Sequence, residues 1–188
     1  MSEHAGEWVS PEYATVGALL LAPLGLRAVQ GWLRPGDFYH RACGQAYEAI
    51  GRLAEQHRRV EPTAVLSALR GPMPERASAL ELHRMMEVVP DPSRVTYYAR
   101  LVVEGALFRQ VERAGADLVH AGAGRRGTVD DLFATFRTVC KPLLATRRRY
   151  DEATAAVTSN GAGPVPLGNA LSADQLVVRL EQARARLR

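Results

Sequence analysis

Between Val95 and Leu118, apolar residues recur three to five positions apart: Val95, Tyr98, Val102, Leu107, Val111, Ala114 and Leu118. That spacing is the period of one face of an α-helix, and it persists for about 30 residues, a rod of roughly 45 Å. A second stripe follows almost at once, with Val129, Leu132, Phe133, Phe136, Val139, Leu143 and Leu144. The few residues between the stripes, "GAGRRG", suit a turn. Two long amphipathic helices joined so briefly must fold back as an αα-hairpin. The hairpin is expected over about 92–146, with its tip at about 121–127.

Punctuation supports these bounds. Asp91 stands as a cap ahead of Pro92, and Thr128-x-x-Asp131 reads as a capping box with Asp in place of Glu or Gln. Pro142 falls late in the second helix, where its missing N–H and its ring should kink or end it. Upstream, Ser10 and Pro11 open a helix through "EYATVGALLL", and a short one covers "LGLRAVQGW". The run Tyr39–Gln56 puts Ala42, Ala46, Ala49, Ile50 and Leu53 on one face. "EPTAVLSALRG" gives a short helix closed by Gly71, and another should run from near Pro74 to before Pro90. No strand pattern and no internal repeat is visible.

These readings predict an all-α chain: a compact helical globule with a protruding long hairpin, then a linker and one last helix. Residues 1–10 form an N-terminal tail and 11–150 the helical domain. Residues 151–171, including "TSNGAGPVPLGNA", read as a flexible linker, and 172–188 as an amphipathic helix carrying Leu176, Val177, Leu180 and Leu187.

Gly122, Gly124 and Gly127 match the spacing of a G-x-G-x-x-G dinucleotide fingerprint, but that chemistry needs a strand before and a second strand after. A helix precedes it here, so the stretch reads as a hairpin tip. A Walker loop needs Gly-Lys-Ser/Thr, and the one lysine, Lys141, lies in "VCKPLL". No G-x-S-x-G and no Cys–His pair suggests a nucleophile. His40-x-x-Cys43 is a single pair, short of a metal site. The sequence therefore assigns no catalytic residue, no metal and no cofactor.

Cys43 and Cys140 read as small core residues, and Trp32, Tyr97 and Tyr98 as packing groups rather than base-stacking ones. With no leader pattern and no apolar run near the ~20 residues a bilayer requires, a soluble cytoplasmic protein is expected. Net charge is +4, and arginine supplies 23 of the 24 basic residues, which reads as a coding bias. The excess sits in 147–188. Arg147, Arg148 and Arg149, with Arg184 and Arg186, are candidate phosphate contacts; equally, arginines complement a helix C-terminus.

Four segments in order, "EYATVGALLLAP", "LRPGDFYHRACGQAYEAI", "VEPTAVLSALRG" and "VVPDPSRVTYYARLVVEGALFRQV", resemble the N-terminal domain of DnaB-type replicative helicases. Leu33–Tyr39 and Val95–Ala99 carry the resemblance most specifically, which extends over about 11–145. The Gly-Gly-x-x-Tyr-Leu-type segment usual before the hairpin is replaced by "PERASALELHRMMEVVP". A helicase of that family continues past its linker into a RecA-like motor, whereas this sequence stops at Arg188 and the resemblance implies no ATPase here.

It implies instead an interaction protein of DNA replication. Such hairpins pair between subunits in a ring collar, where the C-terminal helical domain of primase docks. On that basis Leu107, Val111, Leu118, Val129, Leu132 and Phe136 are interface candidates on the hairpin, and Leu176, Leu180 and Leu187 on the last helix. Expected partners are a second copy of the chain, primase or a full-length replicative helicase, with no membrane. A DNA-binding protein using the arginine-rich C-terminal region is the alternative.

Overall fold

The computed structural model describes residues 10–69, 78–123 and 128–159, and every regular element among them is helical. The order is α1 (Pro11–Leu21), a 3₁₀ turn at Pro23–Gly25, α2 (Leu26–Val29) and a second 3₁₀ turn at Pro35–Asp37. Then come α3 (Arg41–Glu55), α4 (Pro62–Ala68), α5 (Ala79–Glu87), a third 3₁₀ turn at Pro92–Arg94, α6 (Val95–Ala123) and α7 (Val129–Ser159).

The core is organised around α1, which buries Ala14 to Leu20 without interruption and packs against α3, α5 and α6. A helix apolar on every side must be covered on every side. Gly17 permits the closest of these approaches: a Cβ there would lie 1.8 Å from the carbonyl oxygen of Met85 on α5. Amphipathic α3 closes one flank with Cys43, Ala46, Ile50 and Leu53. The first three turns of α6 close another with Val95, Tyr98, Val102 and Val103.

Two carboxylates tie the Leu33–Tyr39 turn to this core. Glu12 accepts the backbone N–H groups of Tyr39 at 2.7 Å and His40 at 2.9 Å, so α3 starts at Arg41 and not at Tyr39 as its periodicity suggested. Asp37, 3% exposed, accepts from the Arg34 N–H at 2.8 Å and turns its carboxylate toward α7. The aromatic residues expected to pack do so. Trp32, Tyr97 and Tyr98 are buried, and the Trp32 indole N–H donates to the Ala28 carbonyl at 3.1 Å.

Several boundaries differ from expectation. Ser10 occupies the position before α1 but makes no side-chain cap. Helix α5 begins at Ala79, where Ser78 and Glu81 form a reciprocal capping box, later than the Pro74 start. Gly71, Pro74 and Gly124 to Gly127 lie outside the described residues, as does the expected 172–188 helix.

The larger correction concerns α7. It runs through Pro142 to Ser159, nine residues into the segment read as linker. Pro142 and Thr138, whose carbonyl the proline leaves without its N–H partner, are both exposed, so water can serve that carbonyl. The extension is held by Ala153 and Val157, four residues apart and buried.

Candidate functional site

The hairpin has a rooted base and two standing arms. At the base, Arg149 on α7 donates two hydrogen bonds to the Asp37 carboxylate, one of them at 2.9 Å. It also donates to the Trp32 carbonyl and to the Thr146 hydroxyl, each at 3.0 Å. All of this lies in a shielded place, with the two side chains 12% and 4% exposed. A bidentate guanidinium–carboxylate pair fixes both distance and plane, so one contact sets how α7 leaves the core. Arg109 on α6 donates to the Asp37 carbonyl, which anchors the other arm to the same turn. Arg100, oriented along α6 by Glu104 at 2.8 Å, crosses to α7 and donates to the Tyr150 hydroxyl at 2.9 Å, which holds the two helices in register.

Beyond Ala106, Ala114 is the one residue of α6 that is buried, and Thr146, Ala153 and Val157 are the buried residues of α7. The outer part of α6 extends about 25 Å from Leu107 to Ala123, packed against α7 on one side and, near Arg109, against the Pro35–Asp37 turn. At its far end, Thr128 and Asp131 form the expected capping box. The Asp131 N–H donates to the Thr128 hydroxyl at 3.2 Å, and the Thr128 N–H returns to Asp131 at 2.7 Å. The Thr128 N–H and, at 2.8 Å, the Thr128 hydroxyl both donate to the Asp131 carboxylate and lower its pKa, as the Ser93 side-chain and backbone bonds lower that of Asp91.

The six hairpin candidates divide. Leu107 and Leu118 are half-buried and share a face with Ala114, the seam between the arms. Val111, Val129, Leu132 and Phe136 are open to solvent, at 43% to 72% exposure. Phe133, part of the stripe read from the sequence but not among the interface candidates, is 59% exposed and stands beside Val129, Leu132 and Phe136 on α7. Phe108, Val119 and Leu144 are likewise exposed. Leu176, Leu180 and Leu187 lie outside the described residues.

The phosphate-contact candidates fare differently. Arg149, read as a candidate phosphate contact, is instead engaged inside the fold by Asp37. Arg147 pairs with Asp151 at 2.9 Å on the surface, and Arg148 is exposed. Arg184 and Arg186 lie outside the described residues. Cys43 is sealed in the core, where burial pushes its thiol pKa well up, while Cys140 is half-buried. His40 sets its ring edge-on to Tyr13 and Tyr39. Among the described residues no three metal-ligating side chains come together, and no helix is long and apolar enough to cross a membrane.

An all-helical core that roots a long hairpin and leaves its apolar stripe uncovered defines a class: a helical domain built to present a hairpin. Residues 7–104 match the model of the DnaB-like helicase N terminal domain, and the chain belongs to that family. It is similar to the crystal structure of the N-terminal domain of DnaB helicase from Mycobacterium tuberculosis. There the identity is 33% and the TM-score 0.61, over 67% of this chain and 94% of that one. It is 30% identical over 139 residues to the replicative DNA helicase DnaB of Geobacillus stearothermophilus, covering 70% of this chain and 31% of the relative. To the DnaB of Mycobacterium leprae it is 33% identical over 122 residues, covering 63% and 20%. The chain thus spans a fifth to a third of the length of these curated relatives.

Proposed function

We propose that this chain acts in DNA replication as a non-catalytic interaction domain that pairs with a second copy through its hairpin. The paired hairpins dock the C-terminal helical domain of primase or a full-length replicative helicase. The observation that carries the reading is the α7 stripe, where Val129, Leu132, Phe133 and Phe136 line up at helical spacing and none is covered by α6. Burying a half-exposed side chain of this size gains about 1 kcal/mol. Four of them on one copy only reach the lower end of the roughly 4–15 kcal/mol that association costs, whereas a second copy facing the first contributes four more and brings the sum to about 8 kcal/mol.

The DNA-binding alternative is weakened by the loss of Arg149 to Asp37 and the pairing of Arg147 with Asp151. The test is retention of purified primase helical domain and full-length replicative helicase on the immobilised chain, beside a Leu132→Asp, Phe136→Asp variant. The reading expects at least one protein to be held by the parent and lost by the variant. Retention of neither, or equal retention by the variant, would overturn it.

A further inference from the structure

On α6, about a turn past the buried stretch, lies a groove of about 190 Å³ lined by Gly36, Phe38, Tyr39, Arg109, Gln110 and Arg113. Its charge is unbalanced. The carboxylate of Asp37 is taken by Arg149, so among the described residues Arg109 is left with a backbone carbonyl and the face of the Tyr39 ring, 5.6 Å from its guanidinium carbon. Arg113 is exposed one turn along, and it forms no ion pair with Glu112 or Asp117. Between the two arginines the side-chain oxygen of Gln110 is shielded from solvent and has no hydrogen-bond partner. Tyr39, 71% exposed, stands at the rim.

We infer that this groove binds an acidic peptide segment of a partner protein. Side-chain carboxylates meet Arg109 and Arg113, whose Cβ atoms are spaced about 6 Å apart along the helix. Two unneutralised guanidiniums suit one or two carboxylates. They are few for nucleic acid, where affinity rests on many phosphate contacts. The groove is independent of whatever covers the α7 stripe.

The experiment is amide NMR mapping on the full chain, titrated with acetylated, amidated hexaglutamate at low salt, with a hexamer of deoxythymidylate as the second probe. Arg113 is chosen for substitution because it is exposed and forms no ion pair among the described residues. The groove reading expects shifts centred on Gly36, Tyr39, Gln110 and Arg113, and a loss of about tenfold or more in affinity in Arg113→Glu, the scale of one charge-assisted bond. Shifts scattered over the surface, shifts centred on Arg148, or equal binding by Arg113→Glu would overturn it. So would tighter binding of the oligonucleotide at the same residues, which would make this a nucleic-acid contact.

Discussion

Asp37→Asn removes one charge and almost no volume, and it should cost this domain a large part of its stability. Asn can still accept from the Arg34 N–H, so the turn keeps its cap. Arg149, however, is left with its guanidinium in a site where its side chain is 12% exposed and the one carboxylate it holds is gone. Breaking a shielded pair by removing one partner costs about 3–5 kcal/mol. Domains of this size have only about 5–15 kcal/mol in hand. With a urea slope near 2 kcal/mol/M, the unfolding midpoint should fall by about 2 M.

The companion variant decides the mechanism. Asp37→Asn with Arg149→Met removes the stranded charge, so it should be more stable than Asp37→Asn alone. A midpoint shift below about 0.5 M, the scale of an exposed ion pair, would refute the reasoning. It would mean that water screens the pair and that apolar contacts alone root the hairpin.

Two further outcomes follow from the same geometry. Gly17→Ala gains helix propensity of about 1 kcal/mol, yet its Cβ would overlap the Met85 backbone, so the net effect should be a melting temperature lower by roughly 5–10 °C; an unchanged or higher value would show that α1 and α5 part at no cost. At the hairpin tip, Thr128 holds the Asp131 pKa below that of a free aspartate, about 3.9, so its contribution is complete above that value and is lost as pH falls through the lower, folded one. Hydrogen exchange in the first turn of α7 should therefore stay constant from pH 6 to about 4 once intrinsic rates are divided out, then accelerate; acceleration already at pH 5 would contradict the cap.

Most of the architecture could be read before any coordinates, because it rests on local signals. The apolar period of α6, the caps at Asp91 and Thr128–Asp131, and the four family segments each act over a few residues. What escaped depends on distant partners. Nothing in the run Arg147–Arg149 distinguishes the residue whose carboxylate lies 112 positions back from its two surface neighbours. The end of α7 escaped because "DEATAAVTS" is polar in composition, and only tertiary contact reveals that Ala153 and Val157 are anchors. Pro142 misled for a related reason, since its cost depends on whether the freed carbonyl meets protein or water. The groove beside Arg113 had no sequence signal: Tyr39 and Arg113 come together only when the turn docks on α6.

The central claim is that the uncovered stripe on α7 joins two copies, and the most direct measurement is light scattering of the eluting full chain against Leu132→Asp. The account predicts a mass at least twice that of one 188-residue chain for the parent, falling toward the single-chain mass in the variant with its helical content intact. A parent that elutes as a single chain at tens of micromolar, or a variant whose mass is unchanged, would contradict it.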